Sequence, residues 1–223
     1  MMTATKTSTL LCAATKWEVE PLAKALDLRA APKGFEGDNV TLIKTGIGAA
    51  NATQALSPLP KFDRVLSVGF AGALQPGMAT GDLVIDIRGA DAELPPMARE
   101  LAATLNIKLH FGKIVDSPSV IASPQDKRAL GQKLRASAVD MESAAISQWA
   151  KNKGSEFLAV RAILDGVDDA LPSGVPEGED LASLLRFVRK NARELPLLAA
   201  TGLRQRRAMQ NLLRYLPELL KRI

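Results

Sequence analysis

Residues 138–145 (Ala-Val-Asp-Met-Glu-Ser-Ala-Ala) set two carboxylates beside a methionine where an alanine-rich helical pattern begins. Asp140 is placed to cap that helix with a side-chain oxygen. Glu142 then falls in the first turn, where the helix dipole favours negative charge. A carboxylate held there is a rigid acceptor, able to grip a pair of neighbouring hydroxyls such as those of ribose. A plain helix cap accounts for the same two acids, so the stretch alone does not decide. The other reactive residue types add little. Ser119 and Ser123 have no histidine nearby in sequence, which gives a serine hydrolase no support. His110 is the only histidine and lacks Cys or His companions for a metal site, so no metal is expected. Cys12, in an apolar run, reads as a small buried hydrophobe.

These residues need elements to position them. Residues 8–14 form a short apolar run, a buried strand, followed by a helical pattern over 17–28. Residues 35–39 read as a turn and 40–44 as a strand ending in the glycine loop 45–48. A helix over 49–56 stops at Ser57-Pro58-Leu59-Pro60. Residues 64–68 read as a buried strand ending in a second glycine loop, 69–72. Strands are predicted at 82–87, 111–115 and 156–163, and helices at 95–105, 124–134, 140–151 and 180–194. Residues 165–180 form an acidic Gly/Pro loop, open to ordering over a substrate or to plain solvation. From Leu197 onward runs an amphipathic helix, with Pro217 kinking or restarting it. Strands alternating with helices specify an α/β fold with a largely parallel or mixed sheet. In such sheets ligands bind beyond the carboxyl ends of strands. Glu18, residues 45–48, residues 69–72 and Asp165 all fall there, which places them in one pocket.

The 223 residues, 47% hydrophobic and 24% charged, suit one larger domain, residues 1–194, with a basic helical extension, 195–223. One cysteine excludes an intramolecular disulfide and no secretory signal pattern is visible, so a cytoplasmic protein is expected. The net charge of +5 is uneven. Residues 186–223 carry ten Lys/Arg against two Glu, or +8, leaving −3 for residues 1–185. The basicity belongs to the tail. The body lacks basic residues interleaved with aromatics, so nucleic acid is not the expected partner.

Five stretches in collinear order resemble one family. They are residues 11–19 (Leu-Cys-Ala-Ala-Thr-Lys-Trp-Glu-Val), 45–48 (Thr-Gly-Ile-Gly), 68–72 (Val-Gly-Phe-Ala-Gly), 138–143 and 161–165 (Arg-Ala-Ile-Leu-Asp). Together they are similar to the purine nucleoside phosphorylase and methylthioadenosine/S-adenosylhomocysteine nucleosidase superfamily. The resemblance implies a three-layer α/β/α fold with a central mixed sheet. It implies cleavage of the N-glycosidic bond of a 5′-substituted adenosine, releasing adenine, by a homo-oligomer without metal or organic cofactor. By the same resemblance Asp165 is the general acid toward the base, Glu142 and Met141 hold the sugar, and Glu18 positions and deprotonates a water. Ala71, Gly72, Val120 and Ile121 would line the base site. Trp17 is open to a pocket-wall, core or interface role.

Phosphate as co-substrate stays open, with Lys16, Thr45, Gly46 and Arg161 as candidate ligands. Glu18 would repel a phosphate dianion, so charge favours water. Three departures from the nucleosidases stand out. Leu164 replaces a serine, Val120-Ile121 replace a stacking aromatic, and the segment from Asp82 to Phe111 is shorter. Residues 138–143, residues 157–162 and the tail also resemble a hopanoid-associated phosphorylase branch, which implies a phosphate-dependent reaction on an adenosyl-hopanoid. Residues 197–223 would then rest on an anionic membrane surface, at its inner face, unless they pack on the domain. A non-catalytic nucleoside-binding protein is the other alternative.

Overall fold

The computed structural model describes residues 7–88, 93–171 and 195–223. Among these lie ten strands: β1 (Thr9–Ala13), β2 (Arg29–Ala31), β3 (Gly34–Glu36), β4 (Val40–Lys44), β5 (Arg64–Ala73), β6 (Leu83–Arg88), β7 (Leu109–Phe111), β8 (Ile114–Asp116), β9 (Ala138–Asp140) and β10 (Glu156–Asp165). Six helices accompany them: α1 (Lys16–Ala25), α2 (Ala49–Leu56), α3 (Leu94–Thr104), α4 (Pro124–Leu134), α5 (Ser143–Lys153) and α6 (Leu195–Leu220). The sheet runs β2-β3-β4-β1-β5-β10-β6-β7, with β9 joining β5 and β8 joining β9. Its centre, β4-β1-β5-β10, is parallel, while β6 is antiparallel to β10. The sheet is therefore mixed.

The central strands are apolar on both faces, as a doubly covered parallel sheet requires. Leu11, Leu66, Val68, Leu158 and Val160 face a core with Val19 and Leu22 of α1, Leu101 of α3, and Leu212 and Leu216 of α6. Leu10, Cys12, Val65 and Ala159 face the opposite core with Leu56 of α2 and Ile146 of α5. Helices thus cover both faces, the expected α/β/α layering. A third cluster, around Leu74, Val115 and Val139, seats α4 through Leu130 and Leu134.

Several expected boundaries change. The second glycine loop is strand: β5 continues to Ala73, with Gly69, Phe70 and Ala71 in register with Arg161, Ala162 and Ile163. Gly69 has φ 145°, and a side-chain carbon there would collide with the Glu18 carboxylate and the Arg161 guanidinium. Glycine is needed for close approach, not for turning. The α5 helix begins at Ser143 rather than Asp140, because residues 138–140 pair with β5 and β8 as β9. The expected turn at 35–39 begins inside β3, and the expected strand at 111–115 divides into β7 and β8. Pro217 does not break α6. Tyr215, Leu216 and Leu219 flank it fully buried, and that packing outweighs a proline penalty of about 3 kcal/mol. The helix expected over 180–194 and most of the acidic loop lie outside the described residues.

Candidate active site

Each candidate acid is carried to the site by a different element. Glu18 sits one turn into α1, where Thr15 donates both its backbone N–H and its hydroxyl to Oε2, each at 2.9 Å. This is the reach-back half of a capping box. Its other oxygen, Oε1, accepts the Phe70 N–H at 3.2 Å. The carboxylate is 4% exposed and held on both sides.

Glu142 takes the N-cap position of α5, but its side chain does not cap the helix. It reaches across to the loop after β4, where Gly48 donates its N–H to Oε1 at 2.7 Å. The capping falls to Asp140, whose Oδ1 accepts from the N–H groups of Glu142 and Ser143 at 3.3 and 3.1 Å. Burial pushes the Glu142 carboxyl above its usual value, and the Arg161 guanidinium opposes the shift.

Asp165 closes β10. A register irregularity between Ile163 and Asp165 brings it opposite Gly72, as a bulge re-aims a side chain next to a site. It is 1% exposed. Burial raises its pKa, and the ammonium of Lys127, which donates to Oδ2, pulls it back down.

One cleft is lined by Phe70, Ala71, Gly72, Val120, Ile121, Val139, Met141, Glu142, Leu164 and Asp165, among others. The structure therefore brings together seven expected site residues: Ala71, Gly72, Val120, Ile121, Met141, Glu142 and Asp165. Glu18 is not among the lining residues and is joined to the group through the Phe70 N–H. A larger cavity, about 550 Å³, opens between residues 77–80, residues 166–169 and α6. It holds none of the expected site residues.

The expected phosphate ligands do not converge on the cleft. The Thr45 hydroxyl donates to the Ala13 carbonyl at 3.2 Å, and the Gly46 N–H to the Ala14 carbonyl at 3.0 Å. Both hold the loop to β1. Lys16 lies on the surface over the Trp17 ring. Trp17 itself is 51% exposed and lines no part of the cleft. Arg161 is buried and bonds Asp140 at 2.7 Å and Ser67 at 2.6 Å, with Ser143 at 3.2 Å and Glu142 at 3.8 Å. Its pKa is raised by these acids against the effect of burial, which is the largest influence on it. It is the structural partner of an acid cluster.

Sequence reasoning missed Lys127 and the Asp140–Arg161–Ser67–Ser143 cluster. Lys127 carried a signal. It shares a helix face with Leu130, Gly131 and Leu134, a charge on the stripe that packs inward. The cluster carried none, since its members come from three separated segments, around Ser67, Asp140–Ser143 and Arg161.

The phosphorylase superfamily model matches residues 14–88 and 86–201. The chain belongs to the phosphorylase superfamily. It is an enzyme of that family and is similar to several of its nucleosidases. A 5′-methylthioadenosine/S-adenosylhomocysteine nucleosidase of Geobacillus kaustophilus is 28% identical over 203 residues, covering 78% of this chain and 84% of the relative. One from Haemophilus influenzae is 32% identical over 164 residues, covering 60% and 71%. Among solved structures, the Helicobacter pylori nucleosidase with butyl-thio-DADMe-Immucillin-A superposes with TM-score 0.75 at 16% identity, covering 99% of this chain and 100% of the other. The futalosine hydrolase of the same organism gives 0.72 at 17% identity, covering 97% and 98%. At these identities the superpositions establish the fold.

Proposed function

We propose that this superfamily member hydrolyses the N-glycosidic bond of a 5′-substituted adenosine and releases adenine. The carrying observation is the balance of buried charge. Among the described residues the buried acids are Glu18, Asp86, Asp140, Glu142 and Asp165, against the cations Lys127 and Arg161. Both cations are already paired with acids. A phosphate dianion would meet net negative charge, whereas water meets a ready base.

The geometry supports the following step. Asp165, its pKa raised by burial, donates a proton to the purine as the bond from C1′ to the base breaks. Glu142 accepts from the ribose hydroxyls and holds the sugar. Water attacks C1′ as the cation-like sugar forms, and Glu18 takes the water proton. The apolar lining by Ala71, Val120, Ile121 and Leu164 suits a flat base. Phe70 adds one aromatic ring to the same lining.

The same reading includes a homo-oligomer, supported by the exposed Trp17 on α1, and activity that survives chelator dialysis. The basic tail turns the apolar face formed by Ala208, Met209, Leu212, Tyr215, Leu216 and Leu219 toward the core rather than a membrane. Vesicle binding would rest chiefly on exposed basic residues, Arg206, Arg207, Arg214, Lys221 and Arg222. Light scattering and vesicle sedimentation test the two points.

The deciding experiment is adenine release from methylthioadenosine, S-adenosylhomocysteine and adenosine, each with and without phosphate. Release without phosphate is expected. Release only with phosphate would overturn hydrolysis and favour the phosphorylase alternative. Binding without release would favour the non-catalytic alternative.

A further inference from the structure

Lys127 is a charged residue that the proposed chemistry leaves unused. It is 0% exposed, and it lies on the inner face of α4. An ammonium has three N–H bonds, and each has an acceptor here. One goes to Asp165 Oδ2, one to the Gly166 carbonyl at 3.1 Å and one to the Asp169 carbonyl at 2.6 Å. The two carbonyls fix the ammonium in place, and Asp165 is the only acceptor of the three that titrates. The carbonyls are themselves held. Gly166 donates its N–H to Asp169 Oδ2 at 2.8 Å, and Arg204 of α6 donates to Asp169 Oδ1 at 2.8 Å. The charged groups around Asp165 are therefore Lys127 from α4, Asp169 from the loop after β10 and Arg204 from α6. Asp140 and Glu142 line the same cleft, with Arg161 paired to them.

We propose that Lys127 is the positioning residue of the acid: it fixes one oxygen of Asp165 and stabilises the carboxylate left after proton transfer. The inference rests on the reading of Asp165 as general acid. The proton on the Asp165 carboxyl passes to the leaving base as the glycosidic bond breaks. The carboxylate that remains lies against the Lys127 ammonium, and water returns a proton for the next turnover. Without the charge on Lys127, Asp165 becomes a weaker acid. It then stays protonated to higher pH but gives up its proton less readily.

The test is the pH dependence of kcat for adenine release from methylthioadenosine, in wild type, K127Q, K127M and D165N. A general acid works while protonated, so the rate falls as pH rises through its pKa. Glutamine keeps hydrogen-bond donors without charge, and methionine removes both. In both variants that falling limb is expected to move up by about 1–3 pH units, with a lower plateau rate. A limb that stays in place in a folded variant would overturn the proposal and leave Lys127 a structural brace. D165N separates this from the underlying reading: full activity there would overturn Asp165 as acid altogether. Should neither lysine variant fold, wild-type protein labelled with ¹⁵N-lysine decides. An exchange-protected ammonium signal that moves with the same midpoint as kcat is expected, and no such signal would overturn the proposal.

Discussion

Gly48 and Glu142 lie 94 positions apart, and the Gly48 N–H donates to Glu142 Oε1 at 2.7 Å. The bond ties the loop after β4 to the start of α5. Glu142 Oε2 lies 3.8 Å from the Arg161 guanidinium, so the carboxylate is oriented from both sides before any sugar arrives. Preorganisation of this kind avoids reordering an acceptor when the ligand binds.

Glu142→Gln keeps the shape and an oxygen for Gly48 but loses the charge. A hydrogen bond to a charged group is worth about 1.5–3 kcal/mol. The variant should lose roughly 10- to 100-fold in kcat/KM for methylthioadenosine, measured by adenine release, with an unchanged far-UV spectrum.

Gly69→Ala should destabilise the fold by at least about 1–3 kcal/mol in urea titration. Its backbone has φ 145°, and the new methyl would meet Glu18 and Arg161. Gly48→Ala is the control. That glycine also has positive φ, 90°, but nothing lies within 4 Å of an added carbon, so only the backbone strain is felt.

Stability should fall as pH rises through the mildly acidic range. Burial raises the folded-state pKa of Asp165 and of Glu142 above their ordinary carboxylate values. The folded protein then holds protons that the unfolded chain has released, so unfolding free energy declines with pH in that window. Their contribution is fully present below the ordinary values, about 4, and is lost as pH passes the raised folded values. Urea midpoints measured from pH 4 to pH 8 should show this slope in wild type and a shallower one in Glu142→Gln.

Removing α6 should unfold the domain rather than merely free it from a surface. Six of its side chains pack into the core shared with α1, α3 and the sheet. At about 1.5–3 kcal/mol for each buried apolar side chain, their loss matches or exceeds the roughly 5–15 kcal/mol by which a domain is stable. Leu212→Ala is the milder form, with an expected cost of about 2–5 kcal/mol. Thermal unfolding followed by circular dichroism measures both.

Local signals in the chain marked most of this architecture. The strand Val40–Lys44, the helix Ala49–Leu56 and the helix Pro124–Leu134 lie where apolar period and turn residues put them. Gly69–Gly72 misled because a glycine pair reads as a turn, when here one glycine makes room for two side chains distant in sequence. The three-residue strand β9 was illegible, because it exists only through pairing with β5 and β8.

By itself the sequence determined the α/β alternation, the placing of Gly48 and Asp165 at or just beyond strand ends, and the kinship of the chain. Hydrophobic period, caps and short motifs are local, and they survive reading one residue at a time. Only the tertiary structure decided the electrostatics. It set Lys127 against Asp165, enclosed Arg161 among Asp140, Ser67 and Ser143, tied Glu142 to Gly48, and turned the apolar face of α6 inward. Each of these depends on charges or surfaces far apart in sequence meeting where water is excluded. There a pairing is decided by geometry and desolvation, and neither can be read along the chain.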